Sequence, residues 1–381
     1  MRTRTMTTSM MTTALLLLVA MGCGDLTEGA GKGSIGSLRL LSKSPDGAGL
    51  EPVGATKRVF PMVGTGTIGP VTVTYYDLHP DACASPIPEV AINCKTTPDA
   101  VTIGPDGAPW FTLYGSLVRV AEDDTVGRVP TPRGSGSLGA LTAGAGALWI
   151  IAWDPQGVLR FDPATRAAEF FSVPGPLARP TAAVVDGHGD VWLTGGDRAV
   201  VGRIDARRDV YVVAQEDGLA PITVVGGGLT VRSDGAVFMS DYSAGRVGQV
   251  RGSGFDWTDL GGDVHAPSGI VSAPDGSIWF VDLGIPNQVG RIDAAGVLQT
   301  FVLPAAIQGP SGKSISTIAV APDGAAWFTV PESSSVARVT PAGEVAYVSL
   351  EGGSLPRGIA IDAHGRIWVT TRGFVRLELG S

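Results

Sequence analysis

The chain has 381 residues, 44% of them hydrophobic, with 54 glycines and a formal charge of −8. The apolar share is ample for a core, and the glycine content is that of a turn-rich all-β protein. An acidic balance with no Lys/Arg cluster excludes a nucleic-acid groove.

The N-terminus, Met1 to Gly22, carries Arg2 and Arg4, an apolar run from Ala14 to Ala20, and small residues before Cys23. It reads as a secretory signal peptide, too short to span a bilayer. Val19-Ala20-Met21-Gly22-Cys23 is similar to a bacterial lipoprotein box, although that box usually carries Leu where Ala20 stands. The expectation is lipidation at Cys23 and a cell-envelope lipoprotein, touching membrane only through the lipid. A plain cleavage site at Ala20-Met21-Gly22, giving a secreted or periplasmic protein, is the alternative. Residues 23–58 are rich in Gly and Ser and read as a flexible tether, with Leu38 to Leu41 as a candidate strand. If Cys23 carries lipid, Cys83 and Cys94 are left as a pair, and an exported compartment favours a disulfide across an insertion at 79–97. Two free thiols in a surface insertion are the alternative.

From residue 106 onward a phrase of Gly, two residues and an aromatic returns seven times. The aromatics are Trp110, Trp149, Trp192, Phe238, Trp279, Trp327 and Trp368, spaced 39 to 48 residues apart. Strands around a turn at that period are the signature of a propeller blade. The fifth copy reads as four strands: Gly269 to Pro274, Ser277 to Asp282, Gln288 to Asp293 and Leu298 to Leu303. Asp275-Gly276 reads as a two-residue hairpin turn, and Trp279 as packed between adjacent blades. The last copy is one strand short. Val71 to Leu78 is a spare strand upstream, predicted to pair with Gly373 to Leu379 and leave no open edge. The expected architecture is an all-β seven-bladed β-propeller of four-stranded antiparallel blades over residues 59–381, closed by that N-terminal strand, and monomeric.

Pro274-Asp275-Gly276 with Trp279-Phe280, then Gln288-Val289-Gly290-Arg291-Ile292, resembles the virginiamycin B lyase (streptogramin lyase) family. Pro322 to Thr329 and Pro105 to Thr112 repeat the pattern. The resemblance implies a seven-bladed propeller and a carbon–oxygen lyase that opens a cyclic depsipeptide ester by Mg²⁺-assisted elimination. It also implies catalytic histidines eleven residues before the aromatic in the last blades. Those positions here hold Asp99, Leu138, Thr181, Gly227, Ser268, Ser316 and Arg357, and none is His. Three residues past the aromatic, where the family carries Glu, stand Leu113, Ala152, Gly195, Asp241, Asp282, Val330 and Thr371.

Hairpin geometry, with the strand start facing a residue about four past the aromatic, puts both sets at one end of the central channel. That rim would present Asp99, Thr181, Asp241, Ser268, Asp282, Ser316 and Arg357. Asp241 and Asp282, from neighbouring blades, are the candidate ligands for Mg²⁺ or Ca²⁺, against the alternative of two solvated carboxylates. His188 and His364 fall in hairpin turns, and His79 precedes Pro80 in the insertion. His265 is the one candidate for a relocated base. Three functions compete: a lipid-anchored module binding a small molecule, glycan or protein at the rim, an active lyase or hydrolase using a different site on the same rim with a relocated base, and a plain structural scaffold in the envelope.

Overall fold

The computed structural model describes residues 55–64, 69–76, 98–132, 136–196, 199–216, 227–262, 264–308 and 317–380. The signal peptide, Cys23, the tether before residue 55, the Cys83/Cys94 insertion and Ser316 lie outside the described residues. Seven antiparallel sheets follow one another along the chain as the blades of a propeller. Blades one to five span 101–130, 138–172, 183–215, 229–259 and 267–302, each with four strands in sequence order. Blade six, 318–349, adds the two-residue strand Val63–Gly64 at its outer edge.

Blade seven is completed from the other end of the chain. Ile359–Ile361, Ile367–Thr370 and Phe374–Leu379 are joined by Val71–Tyr76, with Val71 opposite Leu379 and Tyr76 opposite Phe374. Tyr76 stacks on Phe374 at 4.8 Å between centroids. Its hydroxyl donates to Asp124 of blade one at 2.7 Å, so the closing strand also ties the seam to its neighbour. A fifth strand, Ala55–Phe60, then pairs along Val71–Tyr76. It starts inside the span read as tether, which moves the start of the folded ring to residue 55. Lys57, Arg58 and Val59 are exposed on this edge, and a charged edge strand has little hydrophobic periodicity to betray it.

The repeat phrase builds the junctions. Trp327 packs with Ile359, Ile367 and Val369 of blade seven, and Trp368 with Phe111 and Val118 of blade one. In register, each Trp faces an arginine on the third strand: Trp110 with Arg119, Trp149 with Arg160, Trp192 with Arg203, Trp279 with Arg291, Trp327 with Arg338, Trp368 with Arg376. Blade four alone pairs Phe238 with Gln249, and there Arg232 lies over the ring at 5.3 Å. The hairpin turn in blade five is three residues, Pro274 to Gly276. The N–H of Ala273 donates to the Ser277 carbonyl at 2.8 Å, and only Gly276 takes positive φ, at 82°. That is a type I turn with a glycine bulge rather than a two-residue turn.

The innermost strands crowd the axis. Ten residues before each aromatic stand Ala100, Gly139, Ala182, Gly228, Gly269, Thr317 and Gly358. A Cβ at Gly228 would meet the Ser268 carbonyl oxygen at 2.8 Å, and one at Gly358 would meet Ala100 Cα at 3.1 Å. Neighbouring inner strands therefore approach so closely that only small residues fit between them.

Candidate functional site

In three blades the N–H of the residue eleven before the aromatic, just ahead of the innermost strand, donates to a carbonyl two past that aromatic. Asp99 bonds Thr112 at 3.3 Å, Thr181 bonds Thr194 at 3.3 Å, and Arg357 bonds Thr370 at 3.0 Å. The facing residue is thus two past the aromatic in these blades, and three past it in blade two, where Leu138 faces Ala152, rather than about four. Asp241 and Asp282 sit at the ends of their strands.

Both acids are engaged. The Asp282 carboxylate accepts backbone N–H groups of His265 at 3.3 Å, Ala266 at 2.7 Å and Gly284 at 3.0 Å, and Gln288 Nε2 at 2.9 Å. It is 0% exposed. Asp241 accepts the N–H groups of Ser243 at 3.1 Å and Ala244 at 3.2 Å and the Arg246 Nε at 3.0 Å. Arg246 reaches on to Glu216 at 2.6 Å. These carboxylates cap the turns that follow them, as Asp does where a chain reverses. A divalent cation of the Mg²⁺ or Ca²⁺ type needs about six oxygen ligands. No group of three His, Cys, Asp or Glu side chains converges among the described residues. Asp241 and Asp282 therefore do not fit a shared cation.

His265 is exposed and stands beside Gly284, where a Cβ would lie 3.0 Å from its Nδ1. His188 and His364 are exposed in hairpin turns, their N–H groups held by Asp186 and Asp362 at 2.9 Å each. Thr181 shares a 2.9 Å hydrogen bond with the Thr194 hydroxyl, and Ser268 is half-buried with its carbonyl accepting the Ser240 hydroxyl. Arg357 and Asp99, from blades seven and one, are brought together at 3.7 Å with side chains 56% and 39% exposed.

A ring of hydroxyls went unrecognised in the sequence. Thr112, Thr194, Ser240, Thr329 and Thr370, all two past the aromatic and 0–1% exposed, accept the N–H of the inner strand. The donors are Ala100 at 3.0 Å, Ala182 at 3.0 Å, Gly228 at 2.8 Å, Thr317 at 3.3 Å and Gly358 at 2.7 Å. Some also donate onward to the next blade: Thr329 Oγ1 reaches the Arg357 carbonyl at 2.6 Å, and Ser240 reaches that of Ser268. The signal was present as a hydroxyl in five of seven copies, broken by Ile151 and Val281. The starts of these inner strands thus stand on a buried, hydrogen-bonded base. A crevice of about 30 Å³ opens there between blades three and four, lined by Thr194, Gly195, Gly227, Ser240 and Tyr242, with room for little more than a water.

Residues 219–377 match the model of the Virginiamycin B lyase family. A virginiamycin B lyase from Nocardia farcinica is 30% identical over 192 residues, which cover 50% of this chain and 62% of that relative. The match thus spans less than two thirds of the relative's length. A catalytically inactive His-to-Ala variant of the virginiamycin B lyase from Staphylococcus aureus, solved with quinupristin, is 20% identical with a TM-score of 0.66. The alignment covers 76% of this chain and 97% of that one. A protein bound to a D1 peptide, YCF48, is 11% identical with a TM-score of 0.57, over 76% of this chain and 93% of its own. At those identities the solved structures show the shared fold alone.

Proposed function

From the premise that this chain is a virginiamycin B lyase-like seven-bladed β-propeller, we propose that it is an exported, lipid-anchored binding module whose ligand sits at the channel rim. The observation that carries this reading is Arg357. It stands at the strand-start position where the family resemblance implies a catalytic histidine, and it is exposed beside Asp99 rather than built into an acid–base pair. A guanidinium stays protonated at any accessible pH and cannot serve as the base an elimination requires. General acid–base catalysis typically supplies about 10²–10⁴-fold, so its loss removes turnover of that order. The solved S. aureus relative is catalytically inactive once one histidine becomes alanine, which supports the inference. Export and lipidation rest on the N-terminal sequence and Cys23, and the Cys83–Cys94 disulfide on an oxidising compartment.

The experiment is incubation of mature protein with Mg²⁺ and virginiamycin B, read by mass spectrometry. No ring opening is expected from the native chain. Robust opening abolished by EDTA would overturn the reading. It would favour a lyase using His265, which among the described residues is the exposed histidine next to a strand-end carboxylate, Asp282. A Ser316→His/Arg357→His variant tests whether imidazoles at those positions are enough to confer turnover. Mass spectrometry of membrane-extracted protein checks lipid at Cys23 and the Cys83–Cys94 bond.

A further inference from the structure

At the strand ends, blade four commits its cation: Arg246 is held by Asp241 and Glu216. Blade seven is different. The backbone of Arg357 is fixed on three sides: its N–H on Thr370, and its carbonyl under the hydroxyls of Thr317 and Thr329. Its side chain is nevertheless 56% exposed, with one carboxylate, Asp99, at 3.7 Å. Arg372 lies two residues beyond Thr370, in the turn that joins Ile367–Thr370 to Phe374–Leu379 of the same blade, and is exposed. Its guanidinium rests over Gly353, 3.5 Å from where a Cβ would be, and no carboxylate of a described residue is in ion-pair range.

Both guanidiniums are exposed on a chain of net charge −8, whose overall field repels anions. An exposed ion pair contributes about 0–1 kcal/mol, so Asp99 holds Arg357 weakly and is readily exchanged for a better acceptor. The guanidinium fork suits bidentate pairing with carboxylate or phosphate oxygens. We propose that the blade-seven sector of the rim is an oxyanion subsite. Arg357 grips a carboxylate or phosphate group of the ligand by releasing Asp99, and Arg372 supplies the second positive charge. This deepens the rim-binding reading and rests on it.

The test titrates the mature protein with citrate and, separately, with inorganic phosphate by calorimetry, with glucose as the neutral control. Saturable binding of either anion is expected, citrate alone marking a carboxylate ligand and phosphate alone a phosphoryl one. Arg357→Gln should weaken it by about tenfold or more, the worth of a charge-assisted hydrogen bond. Arg372→Gln should weaken it less, and Asp99→Asn should tighten it. A merely structural arginine pair would not produce that opposite sign. Circular dichroism confirms that the variants are folded. Absence of saturable binding of both anions, or affinities unchanged in both arginine variants, overturns the subsite. Should the rim capture a neutral ligand while both anions fail, the subsite falls and the binding-module reading stands.

Discussion

The hairpin-turn end and the channel end of each blade come from the same repeat, yet they treat their charges in opposite ways. At the turn end the third-strand arginines lie along the Trp rings and lock onto turn carboxylates: Arg119 to Asp106 at 2.6 Å, Arg291 to Asp275 at 2.8 Å, Arg338 to Asp323 at 2.6 Å. The indole N–H groups of Trp110, Trp192 and Trp368 donate to Asp106, Asp186 and Asp362 at 2.8–3.0 Å. Where blade four lacks the Trp–Arg pair, Arg232 and Asp234 stand in. At the channel end the strand-start residue differs in nearly every blade, and only the buried hydroxyls beneath it recur. A repeat that must close a ring keeps its junction chemistry constant, while the solvent-facing start of each inner strand is free to specialise.

Breaking the constant end should cost most. Trp368 is 1% exposed, contacts Tyr76 and Phe111, and carries the seam between blades seven and one. Trp368→Ala is expected to lose about 3–5 kcal/mol in chemical denaturation, as large aromatic truncations in cores do. A loss below about 1 kcal/mol would mean the junction repacks freely and the belt is not what closes the ring.

Acid probes the same belt collectively. Burial, the largest single influence on Asp106, Asp186, Asp275, Asp323 and Asp362, pushes their pKa values up, but hydrogen bonds from indole, guanidinium, hydroxyl and turn N–H groups together hold them below 3.8. Asp234 is lowered to about 2, chiefly by its hydrogen bond from Arg232. Folded values below unfolded ones mean the unfolded chain binds protons first. The stabilisation is complete above about pH 4 and is lost as pH falls through the folded values. Thermal unfolding should thus be nearly flat just above pH 5 and drop steeply toward pH 2. Asp362→Asn, which removes one of these acids, should shallow that drop.

The ring itself was legible because its signals are periodic: a Gly turn and an aromatic every 39 to 48 residues, and one strand too few at the end. The closing strand followed from counting. Ala55–Phe60 was not legible, because Lys57 and Arg58 on an exposed edge look like tether. Nor was the fate of Asp241 and Asp282. A sequence gives the position of a carboxylate but not the backbone N–H groups that fold around it, so turn caps read as a cation site. Arg357 and Asp99 could be assigned to one end of the channel. That their side chains approach to 3.7 Å across the seam depends on where each side chain is placed, and only the folded structure supplies that.

The hydroxyls under the rim lie between the two extremes. Thr329→Val keeps the shape but removes the oxygen that accepts the Thr317 N–H and donates to the Arg357 carbonyl. It should cost about 1–2 kcal/mol by leaving those groups short of a partner. The homologous position in blade five is already Val281, 0% exposed, so the methyl itself is tolerated there.

The smallest effect belongs to the rim, and it is the one that separates the two ends most sharply. Arg357 and Asp99 are an ion pair by distance, but at 3.7 Å and with both side chains well exposed, water screens their attraction and two long side chains gain little by meeting. Their backbones are held independently, Arg357 by Thr370 and the threonine hydroxyls, Asp99 by Thr112. Substituting either side chain therefore removes no support from the strand. Arg357→Gln and Asp99→Asn should each change stability by no more than about 0.5 kcal/mol, and the double variant should be nearly additive. A coupling above about 1 kcal/mol would make the pair a structural clasp like those at the turn end. Arg357, held through its backbone and exposed through its side chain, should then be dispensable to the fold.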